Sequence, residues 1–108
     1  MELGSKPPLY KEKLVKFEWD SKKALTNLKK HAVSFDEAQT VFDDPLACIF
    51  DDEWNSFGEQ RELIIGYSIS KRLLIVSFTE RLQGLIRIIS ARQTMTKERK
   101  DYEKHRIY

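Results

Sequence analysis

The chain is 108 residues long, 41% hydrophobic and 33% charged, with a formal net charge of +2, which bounds it to one compact domain with a heavily ionised surface. No apolar run approaches the length needed to cross a bilayer, and the amino terminus has no apolar signal core, so a cytoplasmic protein with no membrane attachment is expected. The single Cys48 excludes an internal disulfide and the two histidines, His31 and His105, offer no zinc-like spacing, so neither a metal nor a cofactor is expected.

The small net charge conceals a segregation. Residues 1–35 carry eight basic and four acidic side chains, residues 36–62 one and nine, and residues 63–108 ten and four. Basic flanks around an acidic middle suit a polyanion on one surface and a basic partner on another.

Residues 1–13, with Gly4, Pro7 and Pro8 among scattered lysines, read as a flexible leader or added segment, leaving 14–108 as the folded domain. From Leu14 to Trp19 the pattern alternates as a first strand, and Asp20 or Ser21 is placed to cap the helix that follows. That helix runs to about Lys30 with Ala24, Leu25 and Leu28 as its inward stripe. Lys23, Asn27 and Lys30 form one outward row with His31 at its end, read either as a solvated face or as a phosphate-contacting one. Ser34-Phe35-Asp36-Glu37 fits a capping box opening a short second helix, which Asp44-Pro45 ends.

After Pro45 an apolar run containing Cys48 reads as a strand whose thiol is buried and inert. The polar loop 51–58 follows, acidic but without the ordered spacing of a calcium loop. Three more strands are expected at 60–67, 73–80 and 85–91, with breaks short enough to force antiparallel neighbours. From Thr94 the composition becomes that of a basic helix with a threonine as cap. The order strand, two helices, four strands, helix makes an α+β domain: an antiparallel sheet with helices on one face and the other face partly open.

Within the last strand, Arg87 lies on the same side as Leu85 and Ile89. A guanidinium there must reach water, a carboxylate or an anion, because an unpaired buried charge is costly. Pattern alone leaves a buried ion pair and an anion site both open, and Arg61 is the other strand arginine that could converge with it.

Several stretches occur together in order: Phe17-Glu18-Trp19-Asp20, Asn27-Leu28-Lys29-Lys30-His31, Val33 to Ala38, Val41-Phe42-Asp43-Asp44-Pro45, and Ile86 to Arg92 followed by Glu98-Arg99 and Tyr102. Over residues 16–103 the chain resembles the BrnT family, toxins of bacterial type II toxin–antitoxin pairs. The resemblance implies a RelE-like ribonuclease fold and RNA cleavage that arrests translation. It further implies neutralisation by a BrnA-like ribbon-helix-helix antitoxin in a 2:2 heterotetramer, with operator DNA bound only through that antitoxin.

Metal-independent cleavage needs a deprotonated ribose 2′-hydroxyl, stabilised phosphorane charge and a protonated leaving 5′-oxygen. With the resemblance, Arg61 and Arg87 are the expected phosphate clamps, His31 a proton-exchanging group, and Arg92 and Tyr102 further catalytic candidates. Lys23, Lys30 and Trp54 are expected to bind RNA. Each has a structural rival: Arg61 as a partner of Glu59 or Glu80, His31 as the close of its helix, Arg92 as the holder of Glu98 or Asp101, and Tyr102 as a packing residue. The competing function is a non-catalytic charged module that holds nucleic acid or a basic protein.

Overall fold

The structure, a computed structural model, describes residues 15–106; the expected leader, residues 1–13, and Leu14 of the expected first strand lie outside the described residues. The elements are β1 (Lys16–Glu18), α1 (Ser21–His31) and α2 (Phe35–Gln39), which tightens into a 3-10 turn over Thr40–Asp43. Then come β2 (Cys48–Asp51), a 3-10 turn at Glu53–Asn55, β3 (Glu62–Tyr67), β4 (Leu73–Leu82), β5 (Leu85–Gln93) and α3 (Thr96–Arg106).

All five strands form one sheet in the order β1-β5-β4-β3-β2. The meander β2 to β5 is antiparallel, as its short connections require. The expectation of a wholly antiparallel sheet is corrected at β1, which pairs in parallel with β5. The helices and the meander together form the crossover that returns β5 in the direction of β1.

The sheet buries residues on both sides. On one face, Ile64, Leu74, Val76, Phe78, Ile86 and Ile88 pack under Val33, Phe35, Ala38, Val41 and Phe42 from α2 and its flanks. On the other, Cys48, Ile65, Leu73 and Ile75 are covered by Tyr102 of α3. Helices therefore lie on both faces rather than one, and α3 closes only part of the second. Among the described residues no helix is long and apolar enough to cross a membrane.

Local chemistry explains the helix ends. Asp20 accepts the backbone N–H groups of Lys22 and Lys23 at 2.8 and 3.0 Å, satisfying donors that an α-helix leaves free at its start. Ser34 caps α2 by accepting the Glu37 N–H at 3.0 Å. The other half of the expected capping box does not form: the Glu37 carboxylate is taken by the guanidinium of Arg72 and, at 2.6 Å, by the Ser68 hydroxyl. Arg72 also donates to the carbonyl of Ala32, closing the end of α1.

The inward stripe of α1 also needs correction. Leu25 and Leu28 are 61% and 47% exposed, whereas Asn27 is buried. β1 ends at Glu18, leaving the outer edge of β5 beyond Arg87 without a strand partner, and the Asn27 amide takes that place. It donates to the Ala91 carbonyl at 2.8 Å and accepts the Ala91 N–H at 3.1 Å, like one residue of a sixth strand. A further bond to the Val33 carbonyl at 2.9 Å ties the same amide to the start of α2. Asn27 thus leaves the expected phosphate-contacting row.

Candidate nucleic-acid interface

Arg87 and Arg92 are separated by five residues, so a regular strand would send them to opposite faces. β5 carries one extra residue between its pairings Ile88 with Phe78 and Ser90 with Ser77. This bulge at Ile89 shifts the alternation. Ile86, Ile88 and Ala91 all remain in the core, while Arg87, Ser90 and Arg92 share the face that α3 leaves partly open. Arg61, immediately before β3, lies on that face too, with Leu63, Ile75 and Ser77.

Two cavities lie along this surface. The first, about 380 Å³, is lined by Arg61, Ser77, Ser90, Arg92 and Glu98, with Asp52 and Asn55 at its acidic end. The second, about 290 Å³, is walled by Lys22, Lys23, Lys30 and His31 of α1. Both include Ile89 and Ser90, so they are neighbours on either side of the bulge. The structure therefore places Arg61 and Arg92 on one cavity and Lys23, Lys30 and His31 on its neighbour.

The cations around these cavities differ in how far they are committed. Arg92 makes a two-point pair with Glu98 at 2.8 and 2.6 Å, and each charge holds the other. The Arg92 guanidinium lowers the Glu98 carboxyl below the ordinary glutamate range, with help from the Met95 N–H, and hydrogen bonding to Glu98 raises Arg92. Glu98 accepts that Met95 N–H at 2.8 Å, so glutamate rather than the expected threonine orders the start of α3. Arg61 is only loosely paired, with its Nε 3.5 Å from the exposed Glu59.

Three expected site residues fall outside these two cavities. Arg87 is half-exposed and donates to Glu18 at 3.2 Å, with Arg81 3.9 Å from the same carboxylate. The partner of Arg87 is thus a carboxylate on the neighbouring strand. Tyr102 is 1% exposed, donates its hydroxyl to Asp44 at 2.8 Å and packs edge-on to Tyr67. It anchors α3 on the far side of the sheet from α2. Trp54 is 88% exposed on the loop before β3, near Asp52 and Asn55 of the first cavity. Cys48 is buried, its thiol directed at the Leu46 carbonyl at 3.7 Å.

Sequence reasoning did not single out Ser77 and Ser90. The available signal was polarity out of place, since each interrupts an apolar strand, at Val76-Ser77-Phe78 and Ile89-Ser90-Ala91. Among the described residues no three His, Cys, Asp or Glu side chains are grouped as they would be around a metal ion.

Comparison with curated protein sequences returns no match. Among solved structures, the chain is similar to the ribonuclease toxin BrnT of Brucella abortus, with a TM-score of 0.59 and 23% identity. The alignment covers 76% of this chain and 99% of that one. At that identity the likeness speaks for the fold, a mixed α+β domain. A family described as the ribonuclease toxin, BrnT, of type II toxin-antitoxin systems matches residues 19–107, which is nearly all of the described chain. By that match the chain belongs to the BrnT family of ribonuclease toxins.

Proposed function

We propose that this toxin is a metal-independent endoribonuclease that binds a single RNA strand in the groove across the β5 bulge. One observation carries the reading: two cavities, one with arginines and one with lysines and a histidine, meet at Ser90. A chain of phosphates laid along such a groove meets a cation on each side of the bulge, and guanidinium forks suit phosphate oxygens.

In this reading the ribose 2′-oxygen attacks the adjacent phosphorus and the bond to the 5′-oxygen breaks, leaving a 2′,3′-cyclic phosphate and a 5′-hydroxyl. Arg61 and Arg92 stabilise the charge that develops on the phosphorane, with Arg92 partly released from Glu98 as it does so. His31 exchanges a proton with the reacting oxygens. Lys23 and Lys30 hold the neighbouring phosphate, Arg87 extends the positive surface toward β1, and Trp54 stacks on an unpaired base. Tyr102 serves by fixing α3, and so Glu98, in place.

The same proposal covers the cellular setting: one RelE-like domain over residues 14–108, acting in the cytoplasm to arrest translation. A BrnA-like ribbon-helix-helix antitoxin neutralises it in a 2:2 complex, and operator DNA is reached only through that antitoxin.

The test is incubation of the purified chain with bulk RNA in the presence of a chelator. Fragmentation is expected, with Arg61→Ala and Arg92→Ala each slowing it by about a hundredfold. Intact RNA at high enzyme excess would overturn the catalytic reading. Salt-sensitive RNA binding without cleavage would instead support the non-catalytic binding module.

A further inference from the structure

Ser77 and Ser90 are direct cross-strand partners on β4 and β5, so their side chains leave the same face with α-carbons about 5 Å apart. Both line the first cavity, and Ser90 also lines the second. Among the described residues neither hydroxyl has a hydrogen-bond partner. Two neighbouring hydroxyls, by contrast, are committed. Thr79 donates to the Gln60 carbonyl at 2.8 Å and Ser56 to the Asp52 carbonyl at 2.7 Å.

The position of Ser90 depends on the bulge. With Ile89 counted as the extra residue, Ser90 leaves the core alternation and comes level with Ser77 on the groove floor. Bulges re-aim side chains in this way. The result is a pair of hydroxyls, each able to donate and to accept, between Arg61 and Arg92 on one side and the lysine wall of α1 on the other.

We infer that the Ser77–Ser90 pair binds the ribose and phosphate of the nucleotide at the bulge, accepting from the ribose 2′-hydroxyl and donating to a phosphate oxygen. The pair thereby selects RNA over DNA. A deoxyribose strand can satisfy the donating role but offers nothing to the accepting one. The serines do not move protons; they touch the substrate and set the 2′-oxygen in line with the phosphorus. This inference rests on the proposal that the groove binds RNA.

The experiment compares the wild type with Ser77→Ala, Ser90→Ala, the double variant and the hydroxyl-keeping Ser77→Thr/Ser90→Thr. Two readouts are used: cleavage kinetics on a single-stranded RNA oligonucleotide, and competition of that cleavage by DNA of the same sequence. The double alanine variant is expected to lose about ten- to a hundredfold in kcat/KM, with KM for RNA raised by more than the inhibition constant of DNA. DNA should compete with RNA better in that variant than in the wild type, and the threonine pair should recover most of the rate. Wild-type kcat/KM in the double alanine variant, or an unchanged ratio of the DNA inhibition constant to the RNA KM, overturns the serine role alone. A wild-type protein that neither cleaves nor binds the RNA overturns the ribonuclease proposal and this inference with it. Thermal melts of each variant separate lost folding from lost contacts, since a Ser→Ala change at half-buried Ser77 or exposed Ser90, neither hydroxyl being hydrogen-bonded, should leave stability nearly unchanged.

Discussion

Replacing Asn27 by alanine should be among the most destabilising single changes outside the apolar core. The side chain makes three hydrogen bonds, two with the backbone of Ala91 and one with the Val33 carbonyl. Ala91 and Val33 are 1% and 0% exposed. An unpaired buried backbone group costs on the order of 1–3 kcal/mol. Three such groups set an upper limit, but Asn27 borders the groove and water entering there would meet part of the demand. The expected loss is therefore about 3 kcal/mol, which for a domain of this size lowers the melting temperature by on the order of 15 °C. Asn27→Asp keeps the acceptor for the Ala91 N–H but sets a carboxylate against two carbonyl oxygens, so it should lose at least as much. Urea denaturation would measure both, followed by the fluorescence of Trp19, whose ring lies 5.9 Å from Phe35. A loss below about 1 kcal/mol for Asn27→Ala would show that the amide does not close the β5 edge.

Ala32 closes α1 in the left-handed region, with φ of 57°, where a Cβ is strained and glycine is not. Ala32→Gly should raise stability by about 1 kcal/mol despite adding backbone freedom to the unfolded chain, and an unchanged urea midpoint would refute that. Acid should weaken the fold through Glu37 and Glu98, both held below the ordinary glutamate value of 4.5, Glu37 chiefly by Arg72 and Glu98 chiefly by Arg92. Because their folded values are depressed, their contribution is complete above 4.5 and is lost as pH falls through the lower folded values. Glu37→Gln should therefore be less stable than the wild type at pH 7 and show a shallower acid decline, whereas parallel urea-midpoint profiles would contradict the assignment.

Much of this fold was written in short-range patterns. Asp20 and Ser34 announce helix starts because capping needs only a side-chain oxygen within a few residues, and the breaks between β3, β4 and β5 are short enough to dictate their antiparallel pairing. What escaped notice depends on partners far along the chain. Glu37 looked like a local capping residue, yet it serves Arg72, 35 residues away. Leu25 and Leu28 looked like an inward stripe, yet Asn27 decides the orientation of α1 through Ala91, 64 residues distant. The parallel entry of β1 has no local signal at all.

The candidate site was legible in kind more than in place. Arg61, Arg92, Lys23, Lys30 and His31 were picked out by residue type, and all border the groove. Arg87, singled out for its charge among apolar neighbours, is satisfied by Glu18 of β1, a pairing that follows only from the parallel register. Ser77 and Ser90 went unnoticed because their proximity rests on a one-residue offset between strands, which alternation counting does not reveal.

The bulge at Ile89 also bears on how this gene can change length. If one codon is lost at the bulge, the remaining residues fall into simple alternation, with 86, 88 and 91 inward and 87, 90 and 92 outward, the sides they already occupy. A codon gained or lost elsewhere in β5 would break that agreement and turn either an arginine or a run of apolar side chains to the wrong side of the sheet. Insertions and deletions among descendants of this strand should therefore collect at one point, beside the groove. Length variation there would reshape the floor of the site while leaving the core of the protein as it was.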